Sequence, residues 1–436
     1  MNIDNLSMSH IVQNNPIVYA EEAVRKKYLS CLTKYINVSG IGKRKYTRAQ
    51  LTAYKTIVNG YEEKEKKEYD IEYFKYYILL DLLNIAGFDK NKLSQNKLKV
   101  IKALYYNNFK TVDKTKTEKI FRLLQTQKID LNKIFQQNIF VDEKKYLDYI
   151  QQNIRFKEEK PFKLLVTATM SAGKSTFINS ITGKNICRSQ NMACTSKIHK
   201  IINKAYEDGY SYEYDHDLVM TAGSEELLND NELNKTDMIY VGTSFDGLLR
   251  NHRMTINDSP GVNYSENSEH RDITRKLIKS KRYDLLVYIM NATQLGTYDD
   301  AEHLDYVKKQ IGNKPVIFII NKIDEFNPEE ENIKKTLDGQ IEYIKSHGFK
   351  NPVVCPMSSR AAYLAKKSLN QELSRTETRE LNNYIDKFEQ MKLTDYYKKL
   401  FPDIQIKDEE DERRQLLKTC GEAYVENIIL SKKTNE

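Results

Sequence analysis

The stretch from Phe162 to Ser175, FKLLVTATMSAGKS, constrains this chain more than any other. An apolar run rich in Leu, Val and Thr reads as a buried strand. It passes directly into a Gly-Lys-Ser turn, and an amphipathic helical segment, TFINSITG, follows. Strand, glycine turn and helix start in that order bring successive backbone N–H groups and the positive end of a helix dipole to one point, where polyphosphate charge is stabilised. Ser171, Ala172, Gly173, Lys174, Ser175 and Thr176 line that cradle. Lys174 is placed to reach the outer phosphates and the Ser175 hydroxyl to ligate Mg²⁺. The pattern is G-x-x-x-x-G-K-[ST] with one departure: Ala168 stands at the first glycine, where a methyl is expected to narrow the turn.

The chain has 436 residues, 40% of them hydrophobic and 30% charged, which suits two or three globular domains with solvated helices. No apolar run approaches the ~20 residues that span a bilayer, and the start, MNIDNLSMSHIVQNN, lacks a basic-then-apolar leader. The expected location is cytoplasmic. A net charge of +8, from 69 basic and 61 acidic residues, is mild and spread through mixed-sign helices, so no specific nucleic-acid partner is expected. Cys31, Cys187, Cys194, Cys355 and Cys420 are scattered without C-x-x-C spacing, which suggests reduced thiols rather than disulfides or zinc.

Residues 1 to 158 read as helical. The run EYFKYYILLDLLNIAGF (Glu72 to Phe88) is densely apolar and aromatic and is expected to be core. NKLKVIKALYYNNF and KTEKIFRLLQ repeat apolar residues at three- and four-residue spacing. The polar RFKEEKP (Arg155 to Pro161) marks a boundary. After it, FKLLVTAT, KIHKII, YDLLVYIM, PVIFII and PVVCPM alternate with helical stretches, the pattern of βαβ units. The predicted fold is an α/β P-loop domain over 159–371, a mostly parallel sheet flanked by helices. A polar insertion occupies about 203–251, as a hairpin or a surface lobe. Residues 372–436 read as a separate C-terminal helical segment.

Four further signals follow the phosphate loop, at the strand ends where open α/β sheets bind ligands. Thr195, in NMACTSKI, can bring a loop hydroxyl and carbonyl to Mg²⁺ and a γ-phosphate. In MTINDSPGV, Asp258 can hold Mg²⁺ through a water, and Gly261 supplies a backbone N–H that a γ-phosphate attracts. In PVIFIINKIDEF, Asn321, Lys322 and Asp324 sit at a strand tip. The Asp324 carboxylate accepts from guanine N1–H and N2–H₂, whereas adenine would leave buried polar groups unpaired at ~1–3 kcal/mol each. In CPMSSRAAYLAK, Ser358 and Ser359 are suited to present a backbone N–H to guanine O6. Five motifs in this order predict a GTP site. His270-Arg271-Asp272 imitates a kinase loop, but Leu277 stands where its Asn belongs.

On TMSAGKSTFINSITG, ACTSKI, DSPGV, INKID and PMSSR, the span from Pro161 to Leu369 resembles the dynamin-superfamily large GTPases, and most of all bacterial dynamin-like proteins. The resemblance implies GTP hydrolysis to GDP and phosphate with Mg²⁺, a homodimer or an assembly with another dynamin-like protein, and peripheral contact with membranes. It also implies helical flanks that rearrange with nucleotide state. Ser171 would be the loop serine that neutralises developing charge, with a monovalent cation (K⁺ or Na⁺). Thr195 would orient water through its carbonyl, and Lys174, Asp258 and Gly261 complete the catalytic set. Two features depart from the family. Met170 stands where eukaryotic dynamins carry a water-positioning glutamine, and Val262 after Asp258-Ser259-Pro260-Gly261 does not compensate. The residues after the GTPase domain are also too few for a long stalk and a membrane paddle. The alternative expectation is a GTP-gated interaction module with negligible turnover that recruits a partner GTPase.

Overall fold

The computed structural model describes residues 11–43, 45–60, 67–86, 93–125, 140–169, 171–187, 198–207, 209–215, 218–222, 238–261, 268–294, 296–326 and 333–434. The chain divides into two compact units, Met1–Lys160 with Lys204–Thr221, and Pro161–Asn203 with Ala222–Glu436. In chain order the strands are β1 (Phe162–Ala168), β2 (Ile198–Asn203), β3 (Ser211–Asp215), β4 (Leu218–Ala222), β5 (Met238–Thr243), β6 (Met254–Asp258), β7 (Leu285–Asn291), β8 (Val316–Asn321) and β9 (Val353–Pro356).

The first unit is helical: α1 (Glu22–Ser39), α2 (Lys45–Asn59), α3 (Lys75–Ala86), α4 (Gln95–Asn108), α5 (Lys114–Leu123) and α6 (Lys144–Glu158). Gly40 stops α1 in the left-handed region at φ 79°, where a side chain is strained. Asp113 starts α5 by accepting from the N–H groups of Thr115 and Lys116. Most of the aromatic run is core, with Phe74, Tyr76, Tyr77, Ile78, Leu79 and Leu80 all buried, whereas Tyr73 at its start is exposed. One polar group lies at the centre of it. The Asp81 carboxylate accepts from Tyr28 Oη at 2.5 Å, Asn15 Nδ2 at 2.9 Å, Tyr54 Oη at 3.3 Å and Tyr146 Oη. It thereby gathers α1, α2, α3 and α6. Burial pushes this carboxyl up to about 6, against the four hydrogen bonds that favour its charged form.

The second unit holds a sheet in the order β5-β2-β6-β1-β7-β8-β9. Every neighbouring pair is parallel except β2 with β6. All seven residues of β7 are buried, the mark of a strand covered on both faces. The helices are α7 (Lys174–Thr182), α8 (Ser268–Ser280), α9 (Tyr298–Ile311), α10 (Ile333–Ser346), α11 (Ser359–Asn370), α12 (Arg375–Met391), α13 (Leu393–Leu400), α14 (Glu412–Thr419) and α15 (Glu422–Thr434). The sheet is the mostly parallel, helix-flanked P-loop architecture expected for this part of the chain.

Two features were not visible in the sequence. The polar stretch 203–251 divides: residues 204–221 cluster with the first unit, while β5 pairs with β2 inside the sheet. Residues 372–434, read as a separate segment, share the core of the sheet domain. Leu381, Phe388, Leu393, Tyr397, Tyr424, Val425 and Ile428 are buried in the same cluster as β1, β7 and β8. Apolar stripes on these helices are ordinary amphipathic faces, and local pattern alone does not say which core they join.

Candidate nucleotide site

The phosphate loop begins where β1 ends. Ala168 is the last residue of that strand, wholly buried and paired with Ile289 of β7. Its methyl therefore packs into the sheet, and the sharp part of the turn comes later. That part lies at Ser171 (φ 61°) and Gly173 (φ 85°). Gly173 is required twice over. Its φ lies in the left-handed region, and a Cβ there would stand 2.2 Å from Asn321 Nδ2. Helix α7 starts at Lys174 without a side-chain cap, so its first N–H groups face the loop.

Lys174 is 8% exposed and its ammonium is paired with the Asp258 carboxylate, which is 0% exposed. Asp258 ends β6, the neighbour of β1, and the register sets Asp258 opposite Val166. The turn after it is tied down: Ser259 Oγ donates to Val166 O at 3.0 Å and Thr274 Oγ1 to Pro260 O at 3.0 Å. Ser175 is half-buried beside Lys174.

The second corner is built on Asn321, the last residue of β8 and 2% exposed. Its Nδ2 donates to Ala172 O at 2.9 Å and lies 3.5 Å from Gly173 O, while its Oδ1 accepts from Ser359 N at 3.0 Å. One side chain thus joins the phosphate loop to the loop after β9. Lys322 bends the chain at φ 66° and pairs with Glu325 at 3.0 Å. Asp324 is half-buried, and its carboxyl is pushed up by burial and held back by Ser358. Ser358 caps α11 by accepting from Ala361 N at 3.1 Å.

Two assignments read differently in space. The backbone N–H of Ser358 donates to Cys420 O at 3.1 Å, and that of Ser359 to Asn321 Oδ1. Each of these two amides thus has a protein acceptor in the absence of a base. Thr195, Met170 and Val262 lie outside the described residues. Other contributors carried no motif. Asn179 of α7 accepts from the N–H groups of Ile186 and Cys187 at 3.0 and 2.9 Å. This brings Cys187 Sγ to 3.8 Å from Asp258 Oδ2, where burial and the Asp258 carboxylate push the thiol well up. Asn179 could have been suspected as an amide on the apolar face of a helix. Cys187 gave no such signal.

A buried charge cluster underlies both corners. Lys366 of α11 lies 2.7 Å from Glu422 and 2.7 Å from Glu426 of α15. Ser180 of α7 donates to Glu422 at 3.3 Å. Burial alone would lower the Lys366 ammonium, yet the two carboxylates hold it above its usual value. Among the described residues, no group of three or more His, Cys, Asp and Glu could hold a metal ion by itself. Cys31, Cys187, Cys355 and Cys420 are free thiols.

A family model described as the Dynamin family matches residues 164–323, from β1 through the Asn321 turn. Over those residues the chain is similar to the dynamin family. A search of curated proteins found no match. Among solved structures, a chain of an oligomerised bacterial dynamin pair, described as providing a mechanism for long-range sensing and tethering of membranes, aligns at 15% identity. That alignment covers 94% of this chain and 62% of that chain, with a TM-score of 0.37. Era in complex with MgGDPNP and a segment of 16S ribosomal RNA aligns at 18% identity over 46% of this chain and 52% of that chain, with a TM-score of 0.29. Toc33 from Arabidopsis thaliana in complex with GDP and Mg²⁺ aligns at 13% identity over 49% and 78%, with a TM-score of 0.31. The alignment thus reaches about half the length of the Era chain. Among the described residues, no helix is long and apolar enough to cross a membrane.

Proposed function

We propose that this dynamin-family chain binds GTP across the carboxyl ends of β1, β6 and β8 and hydrolyses it to GDP and phosphate. The observation that carries the reading is Asn321, whose amide binds the phosphate loop with one end and the loop after β9 with the other. A ligand with a polyphosphate at one corner and a planar base at the other matches that spacing of functions. The Asp324 carboxylate favours guanine over adenine, because only guanine offers two donors to it.

The donor set fits Mg²⁺. Ser175 and Asp258 offer hard oxygens, and a cation that takes one or two protein ligands and completes its shell with phosphate and water suits a place with no larger ligand cluster among the described residues. When bound, Mg²⁺ would neutralise charge on the β- and γ-phosphates. The protein's own work is electrostatic and positional. Lys174 would exchange its buried partner Asp258 for the outer phosphates, which frees the carboxylate for metal-bound water. Ser171, with a K⁺ or Na⁺ ion, would meet developing charge, Thr195 would orient water, and the Gly261 N–H would attract the γ-phosphate. Gln-type water positioning is missing at Met170, so turnover is expected to be slow and to rise on dimerisation or hetero-assembly with another dynamin-like protein, peripherally at membranes.

Phosphate release by the purified full chain, alone and with anionic liposomes, tests this. Lys174→Ala should abolish release, and a variant that hydrolyses at the parent rate would move the site elsewhere. Asp324→Asn should shift preference from guanine to xanthine nucleotides. Tight GTP binding with no release under any condition would favour the GTP-gated module instead.

A further inference from the structure

Among the described residues, Lys322 of the Asp324 turn and Arg360 just beyond Ser358 are each committed to another carboxylate. Lys322 Nζ lies 3.0 Å from Glu325, whose other oxygen accepts from Thr293 Oγ1 at 3.1 Å. Arg360, at the start of α11, grips Glu380 of α12 at two points, 2.9 and 2.7 Å. Lys387 lies farther along the same helix α12 and does neither. Its ammonium donates to the backbone carbonyl of Asp324 at 2.6 Å.

The same ammonium bears on the Asp324 carboxylate. The other groups facing that carboxylate are Glu325 from its own turn, Ser358 from the loop after β9, Tyr384 from α12 and the Cys420 thiol after α14. Burial and Glu325 favour the protonated acid, whereas Ser358 and Lys387 favour the carboxylate. The Tyr384 hydroxyl is turned toward Glu380 at 3.0 Å. Lys387 is therefore the cation committed to Asp324, and it comes from a helix beyond the stretch that matches the family.

We propose that Lys387 is a positioning residue for guanine recognition, holding the Asp324 turn by its carbonyl and keeping the carboxylate ready to accept from the base. The inference rests on the reading of Asp324 as the guanine acceptor. It makes α12 part of the nucleotide site. A carboxylate that loses its proton only at higher pH binds guanine only at higher pH, so the signature of Lys387 is the acid limb of binding rather than a loss of fold.

The test titrates the full chain with fluorescent GDP between about pH 5 and 8, with tripolyphosphate as a competitor that reads the phosphate loop alone. The proteins are the parent, Lys387→Met and Lys387→Arg. Loss of one charge-assisted hydrogen bond should weaken GDP roughly tenfold in Lys387→Met. The acid limb should move to higher pH, and tripolyphosphate should bind as in the parent. Lys387→Arg should restore both GDP affinity and the limb. GDP affinity and acid limb unmoved in Lys387→Met would overturn the proposal. So would GDP and tripolyphosphate failing together, which marks general damage. A parent that does not prefer GDP over ADP would remove the guanine reading itself, whereas a guanine-selective parent with an indifferent Lys387→Met would remove only the role of Lys387.

Discussion

Replacing Asn321 by alanine should separate the two corners of the site. The side chain is 2% exposed and fills two roles at once, as donor to Ala172 O at 2.9 Å and acceptor from Ser359 N at 3.0 Å. Alanine leaves both partners in place and unpaired, and both are buried. An orphaned buried polar group costs about 1–3 kcal/mol, so two of them cost about 2–6 kcal/mol before relaxation. About 3 kcal/mol appearing in nucleotide affinity is roughly a hundredfold in Kd. Asn321→Asp is the informative companion. It keeps an acceptor for Ser359 N but turns an oxygen toward Ala172 O, so the phosphate corner suffers while the base corner is retained. Fluorescent GDP titration with tripolyphosphate competition reads the two corners, and thermal unfolding without nucleotide reads the fold. Both variants should lose tripolyphosphate affinity, with Asn321→Ala the weaker for GDP. An Asn321→Ala protein that binds GDP within about threefold of the parent would refute the bridging argument.

Gly173→Ala forces a side chain to φ 85° and against Asn321 Nδ2, at about 1–2 kcal/mol for the left-handed backbone plus about 1 kcal/mol for the displaced hydrogen bond. GDP titration should show the loss, while Gly209→Ala, at φ 83° with open space around it, should lower the melting temperature slightly and leave binding alone. Asp81 titrates near 6 in the folded chain against 3.8 ordinarily. Its folded form binds the proton more tightly than the unfolded chain does, so this contribution to stability is fully present below pH 3.8 and lost as pH rises through about 6. The span is about 3 kcal/mol. Asp81→Asn should remove it, seen as a melting difference from the parent that changes between pH 4 and 7; a constant difference would contradict the assignment. Lys366→Met strands Glu422 and Glu426 without their cation and should cost about 3–5 kcal/mol by chemical denaturation, whereas the triple change with Glu422→Gln and Glu426→Gln should recover much of it.

The parts of the site that could be read from the chain are those whose chemistry is local. Strand, turn and helix at 162–182 predict a phosphate cradle because the donors are consecutive backbone groups, and Asn321 with Asp324 predict a base site because both sit at a strand tip; the structure brings the phosphate-loop carbonyls and Asn321 together. Long-range partners escape such reading. Ser358 and Ser359 are on the expected loop, but which acceptor takes each N–H depends on Asn321 and on Cys420, residues far apart in sequence. The turn at Gly421 fits only because a Cβ is absent: one there would meet Pro356 O at 2.4 Å. Nothing in the local pattern of TCGEAY says that the end of β9 lies against it. β5 escaped for another reason: its six residues follow a polar tract and carry only a short apolar run.

The C-terminal helices therefore belong with the sheet on energetic as well as geometric grounds. Tyr397 donates to Pro356 O at 2.7 Å and stacks on Tyr424 with ring centroids 4.3 Å apart. Glu426 accepts from the Leu248 N–H at 2.9 Å while it holds Lys366. Lifting α15 away would expose apolar rings and leave Lys366 with buried charge unmatched, two penalties that act together. Because α7 and α11 both begin in the candidate nucleotide site and both meet Glu422 farther along, through Ser180 and Lys366, a force that displaces α15 must disturb the helix after the Gly173 turn and the helix after β9 at once. Nucleotide binding proposed at those loops and seating of α15 are then expected to be linked with equal strength in both directions. Chemical denaturation with saturating GDP should raise the unfolding midpoint of the parent by more than that of Glu422→Gln, and equal shifts would break the link.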